Sequence, residues 1–265
     1  MNMKQVGIIG VGHLGSALIS GLLKSQYLDP KNLFISGGSS DRAQKLALQL
    51  NCHFCADNSE LASKADILIL AVIPQILPEV LEQVKPAIKD DTIIISVASS
   101  FTLAQFYQYL PKHAAIVRAI PNIPSAICQG MTAITPSPSI KSLQLEQVKQ
   151  LFLAIGKIAL IKEKKLEISG TVAGCSPAYV ALFIEALADA GVLAGLSRDE
   201  AYLFSKQAVL GAASILLEQD MLPAQLKDAV CSPGGTTIRG VAQLEKFGLR
   251  NAVIEAVKAS AKIKD

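Results

Sequence analysis

The sequence predicts two domains of different class: an α/β domain with a doubly wound parallel sheet over residues 1–162, and an all-α domain over residues 163–265. Three observations lead to this reading. Short apolar runs alternate with helix-patterned stretches through the first half, a GxGxxG loop follows the first of those runs, and strand signal fades beyond Glu163.

The first strand covers Lys4 to Ile9 and stops at Gly10. Helical spacing begins at Leu14 and continues through Ala17, Leu18, Gly21 and Leu22. Further strands are expected at Leu33–Ser36, Ile67–Ala71, Thr92–Val97 and Ile116–Ala119, separated by helices at Arg42–Leu50, Ile76–Val84 and Leu103–Tyr109. Strands that alternate with helices pair in parallel and need helices on both faces. A strand at Met131–Ile134, a helix at Leu143–Ala154 and a strand at Lys157–Ile161 complete the domain. The Lys162–Lys165 cluster reads as a solvated loop. Beyond it, helices are expected at Pro177–Gly195, Arg198–Gln219, Ala224–Val230 and Thr236–Asp265, broken at Gly, Pro and Ser.

Composition narrows the function classes. The 265 residues are 51% hydrophobic and 18% charged, with a formal charge of +3. That balance supplies more than one core, gives no basic patch for nucleic acid, and leaves apolar surface to be buried between subunits. Five scattered cysteines without a signal-peptide pattern fit a reducing cytoplasm. Cys52 and Cys55 form a CxxC, but no second Cys or His pair stands at ligand spacing, so no metal is expected. The apolar stretch Tyr179–Leu196 carries Glu185 and Asp189, which argues for a helix buried among other helices or against a second subunit rather than a membrane span.

The loop Gly10-Val11-Gly12-His13-Leu14-Gly15 joins the first strand to the first helix. In that context Gly10 permits the tight turn, Gly12 lets backbone approach a pyrophosphate, and Gly15 lets helix and strand pack closely. His13 and Leu14 open the helix whose free N–H groups face the phosphates. This is the signature of a Rossmann-type dinucleotide domain. No acidic residue closes the second strand. Ser36, Ser39 and Arg42 offer hydroxyls and a guanidinium that suit a ribose 2′-phosphate, so NADPH is the expected cofactor and NADH the alternative; Asp41 reads as the N-cap of the next helix. In the helical half, Ser232-Pro233-Gly234-Gly235-Thr236-Thr237 joins two helices and leaves several backbone N–H groups for a carboxylate.

With these motifs the chain resembles the pyrroline-5-carboxylate reductase family over essentially its whole length. The likeness rests on GVGHLG, on Ala71 to Gln75 (AVIPQ), on Arg118 to Pro124 (RAIPNIP), on Ser176 to Leu196, and above all on Gln225 to Thr237 (QLKDAVCSPGGTT). The resemblance implies an oxidoreductase that passes hydride to the C=N bond of 1-pyrroline-5-carboxylate, giving L-proline in the last step of proline biosynthesis. It implies a helical dimerisation domain, with the substrate at the interface of a homodimer and higher oligomers built of dimers. Ser232, Gly234, Gly235 and Thr236 would hold the substrate carboxylate, and Thr237 would hydrogen-bond the ring nitrogen. Asn58 would touch the cofactor ribose, and Ala71, Val72, Pro74 and Gln75 the nicotinamide half.

A protonated cyclic imine is already electrophilic, so Thr237 serves as a positioner or water-relay donor; His13, His53 and His113 all fall in the first half and read as loop or surface residues. The chain departs from the family pattern at Ile73, where the family has lysine, at Cys175, and at Ser99-Ser100, where it tends to have Ala-Gly. These departures leave two alternatives: a reductase of a different cyclic imino acid, and a non-catalytic dinucleotide-binding paralogue.

Overall fold

The computed structural model describes residues 4–38 and 40–261. Ser39, one of the expected cofactor residues, lies outside the described residues. The order begins β1 (Val6–Ile9), α1 (His13–Lys24), β2 (Leu33–Ser36), α2 (Arg42–Leu50), β3 (His53–Phe54), α3 (Asn58–Lys64), β4 (Ile67–Leu70), α4 (Leu77–Val84) and β5 (Ile93–Ser96). It continues α5 (Leu103–Tyr109), β6 (Ala115–Ile120), β7 (Gly130–Pro136), α6 (Ser142–Leu153) and β8 (Gly156–Leu160). Five helices follow: α7 (Glu163–Leu193), α8 (Arg198–Glu218), α9 (Pro223–Val230), α10 (Thr236–Lys246) and α11 (Leu249–Ser260). The chain divides into two compact units between Gly174 and Cys175, inside α7.

In the first unit, four-residue runs of Ile, Leu and Val become the central strands. β1, β4 and β5 are buried at every position, as a sheet covered on both faces requires. The strand order is β3-β2-β1-β4-β5-β6-β7-β8. Alternation along each strand feeds two cores. Val6, Ile8, Ile67 and Ile69 join α1 and α6 through Leu18, Ile19 and Phe152. Ile9, Leu68 and Leu70 join α3, α4 and α5 through Leu61, Leu81 and Phe106. Each such fully buried Leu or Ile contributes about 2 kcal/mol of transfer free energy. The strand order reverses between β1 and β4, so the loops after these two strands diverge at the carboxyl end of the sheet and open a crevice there.

Several expectations need correction. The sheet is not wholly parallel: β7 runs antiparallel to β6, pairing Val117 with Pro136, because a short one-turn 3-10 connection at Ile123–Ile127 replaces a crossover helix. β3 and α3 were not expected; α3 is started by Asp57, whose side chain accepts from the Ser59 N–H. The Lys162–Lys165 cluster is solvated as expected, but it opens α7 rather than forming a loop: Glu163, the first residue of the helix, accepts from Arg118. The last expected helix is two, since Gly248 at φ 75° takes a left-handed turn before α11.

The second unit is helical. Ser197 caps α8 reciprocally with Glu200. The Tyr179 hydroxyl lies 2.6 Å from Ser260 Oγ, tying α7 to α11. The expectation of a buried helix over Tyr179–Leu196 does not hold for the single chain: Leu182 and Leu193 on α7 are exposed, as are Leu203 and Phe204 on α8. Only a small part of the apolar window of α7 is covered, although by length and composition the helix is long and apolar enough to cross a membrane.

Candidate active site

The dinucleotide loop is built as its glycines require. Gly10 sits at φ 105°, and a Cβ there would collide with the Ala71 carbonyl. A Cβ on Gly15 would collide with the Gly10 carbonyl, so this glycine brings α1 against β1. Gly12 is different: it has φ −68° and an added Cβ would meet nothing within 4 Å. Packing and backbone angle therefore leave room for a Cβ at Gly12, and the remaining reason for a glycine there is approach by a ligand. Gly12 is the N-cap of α1 and supplies no side chain to the first-turn N–H groups, so these donors face outward. His13 is exposed and Leu14 half-buried in that first turn.

Above the loop lies a cleft of about 600 Å³. Of the sequence-expected residues, Gly10, Asn58 and Val72 line it, together with Gly37 and Gly38 from the loop after β2. A volume of this size, with backbone on its walls and a bare helix N-terminus at its edge, fits a dinucleotide. Ser36 is only 1% exposed, and its hydroxyl donates to Asn58 Oδ1 at 2.8 Å, so it acts on the cleft through Asn58. Arg42, the first residue of α2, is exposed. Ala71 and Pro74 are half-buried after β4, Gln75 is exposed, and Ala71 N–H donates to the Ile9 carbonyl at 2.8 Å, holding the start of this loop against β1.

The sequence reading missed Ile76, Glu79 and Gln83, which also line the cleft. Asn58 Nδ2 donates to Gln83 Oε1 at 2.6 Å, and Gln83 Nε2 donates to Glu79 Oε1 at 3.2 Å. The i, i+4 spacing of Glu79 and Gln83 on α4 was visible, but it reads as a solvated helix face.

In the second unit, Ser232 to Thr237 form a tight turn into α10. Gly234 adopts φ 65°, and the Gly235 N–H donates to the Ser232 carbonyl at 3.0 Å. A Cβ on Gly235 would collide with Ser232 Oγ. Gly235 is the N-cap of α10 and, like Gly12, gives no side-chain cap. Ser232, Gly234, Thr236 and Thr237 are exposed. The turn thus gathers three serine or threonine hydroxyls and uncapped N–H donors, a setting suited to a carboxylate.

Cys52 and Cys55 flank the short edge strand β3, and burial pushes the Cys52 thiol up to about 11 and raises that of Cys55 as well. Among the described residues no group of three His, Cys, Asp or Glu gathers as a metal site.

Known proteins place this geometry. Residues 163–265 match the family model described as pyrroline-5-carboxylate reductase dimerisation, and residues 5–100 match that of NADP oxidoreductase, coenzyme F420-dependent. The chain is 39% identical to pyrroline-5-carboxylate reductase of Escherichia coli strain K12 over 254 residues, 96% of this chain and 94% of the relative. It is 40% identical to that of a Synechocystis species over 256 residues, 97% of this chain and 95% of the relative. The crystal structure of Plasmodium falciparum pyrroline carboxylate reductase with NADP bound superposes with a TM-score of 0.89 at 32% identity, covering 99% of this chain and 97% of that one. Full-length identity at this level, joined to the glycine loop and the SPGGTT turn, shows that the chain belongs to the pyrroline-5-carboxylate reductase family.

Proposed function

We propose that this protein reduces 1-pyrroline-5-carboxylate to L-proline, with NADPH as the hydride donor and NADH as the alternative. The observation that carries the reading is Gly12: a glycine demanded neither by packing nor by backbone angle, at the mouth of a dinucleotide-sized cleft, in a chain that also carries the bare SPGGTT turn.

Each residue then has a task. First-turn N–H groups of α1 seat the pyrophosphate, Asn58 the ribose, and Arg42 with the loop around Ser39 the 2′-phosphate. Ala71, Val72, Pro74 and Gln75 flank the nicotinamide half. Ser232, Gly234, Gly235 and Thr236 hold the substrate carboxylate, and Thr237 orients the ring nitrogen. When bound, the reduced nicotinamide supplies hydride to the C=N carbon. The π electrons of that bond move onto a nitrogen that already carries its proton, so the chain need only align the two reactants. Residues 163–265 serve dimerisation and substrate binding and residues 1–162 the cofactor; the working form is a homodimer, with larger assemblies of dimers, in the cytoplasm. The match of residues 163–265 to a dimerisation domain and the exposed apolar side chains of α7 and α8 support the dimer.

Oxidation of NADPH followed by absorbance with 1-pyrroline-5-carboxylate tests the reading. Turnover is expected, and Thr237→Ala should lower kcat/KM on the order of 10²-fold. A folded protein that binds NADPH yet turns over no cyclic imino acid would establish the non-catalytic alternative. Ile73, 60% exposed in the loop after β4 where the family has lysine, favours one variation: weaker discrimination among cyclic imino acids, read by a panel of ring sizes.

A further inference from the structure

The polar chain along the cleft has a fixed direction. A carboxylate only accepts hydrogen bonds, so Glu79 obliges Gln83 to turn its NH₂ group toward it, which turns Gln83 Oε1 toward Asn58. Gln83 Oε1 only accepts, so Asn58 must present Nδ2 to it at 2.6 Å. Asn58 Oδ1 is thereby left for the buried Ser36 hydroxyl at 2.8 Å. Four side chains from three elements, β2, α3 and α4, are aligned donor to acceptor without a break.

The alignment determines what the cleft offers a ligand. Asn58 has two N–H groups; one is spent on Gln83, and its Oδ1 is engaged by Ser36. What remains toward the cleft, where Gly10, Gly37 and Gly38 bring no side chains, is the second N–H. A reversed amide would present a carbonyl oxygen instead, which repels a phosphate oxygen and can only accept from a ribose hydroxyl.

We propose that Gln83 is a positioning residue for the cofactor: by accepting from Asn58 while anchored on Glu79, it locks the Asn58 carboxamide as a donor toward an oxygen of the cofactor's ribose. This rests on the reductase reading. Gln83 lines the same cleft, and the role assigned to it is exerted through Asn58.

Calorimetric titration of the purified protein with NADPH and with NADH, beside steady-state kinetics, tests it. Gln83→Leu, which keeps bulk and removes the acceptor, should weaken both cofactors about 5- to 20-fold and raise their KM in step, while kcat falls less than about two-fold and Tm is little changed. Gln83→Glu combined with Glu79→Gln exchanges the two groups, so that position 79 donates to position 83 and an acceptor still faces Asn58 at unchanged net charge; this pair should restore binding to within about three-fold of the unaltered protein. Gln83→Leu binding as tightly as the unaltered protein would overturn the proposal. So would the exchanged pair binding as weakly as Gln83→Leu, because an acceptor toward Asn58 would then be present without effect. Failure of the unaltered protein to bind either nucleotide would overturn the reductase reading itself.

Discussion

At Gly12 an added methyl group meets no atom within 4 Å, whereas at Gly15 it strikes the backbone carbonyl of Gly10. Two substitutions in one motif therefore separate ligand from fold. Gly12→Ala should cost at most about 1 kcal/mol of stability, the difference between the two residues as helix N-caps, while weakening NADPH binding at least about ten-fold. Gly15→Ala should lower stability by about 2–3 kcal/mol, because backbone must move to admit the methyl group. Thermal melts beside nucleotide titration give both quantities; a Gly12→Ala protein that binds NADPH normally would remove the ligand argument for that glycine. Ser100 shows the converse. It holds φ 63°, a conformation suited to the glycine that the family tends to carry there, and its N–H donates to Glu167 Oε1 at 3.0 Å, which helps retain the turn.

Between elements, Arg118 is the tie that positions the start of α7. Its side chain is 3% exposed and donates to Glu163 at 3.0 Å and to Glu167 at 2.5 Å. The same two carboxylates accept the backbone N–H groups of Leu103 and Ser100, so one buried guanidinium connects β6, α7 and the loop that leads from β5 into α5. Removing the carboxylates strands a buried cation; removing the cation leaves two carboxylates that reach water. The double variant Glu163→Ala with Glu167→Ala should lose about 3–5 kcal/mol, and Arg118→Met less than half of that, in denaturant titrations. Equal losses would show that the tie works through shape rather than charge.

This tie also marks where the sequence stopped being legible. Apolar runs such as Ile93–Ile95 announce buried strands, and glycine loops announce backbone geometry, because both signals are local. The antiparallel entry of β7 was not legible, since a strand's residue pattern carries no direction. Nor was the onset of α7 at Glu163: a charge run signals solvent unless its partner, here 45 residues earlier in Arg118, is known. In the site, SPGGTT and GVGHLG could be read, but Glu79 and Gln83 could not, because a polar helix face looks the same whether it meets water or a cleft.

For the whole molecule, the apolar excess of the sequence is visible on the surface. Val180, Leu182, Phe183 and Leu187 on α7, and Leu203, Phe204 and Leu210 on α8, are exposed in the single chain. A monomer rarely leaves so many large apolar side chains of neighbouring chain segments in water. Light scattering on a sizing column should give a mass of at least twice the 28.0 kDa of one chain. Leu182→Glu should shift that mass toward the single chain or send the protein into aggregates. A monodisperse, stable monomer for the unaltered protein would contradict the dimer.

The two glycine N-caps, Gly12 on α1 and Gly235 on α10, leave their first-turn N–H groups without a side-chain acceptor. For the bench chemist this means that the choice of buffer is part of the experiment. On the proposed reading, sulfate or phosphate would compete at the donors assigned to the pyrophosphate, whose oxygens it mimics, and at those assigned to the substrate carboxylate, and would register as an inhibitor. Rates taken in such salts should then fall below those taken in chloride or an organic zwitterion.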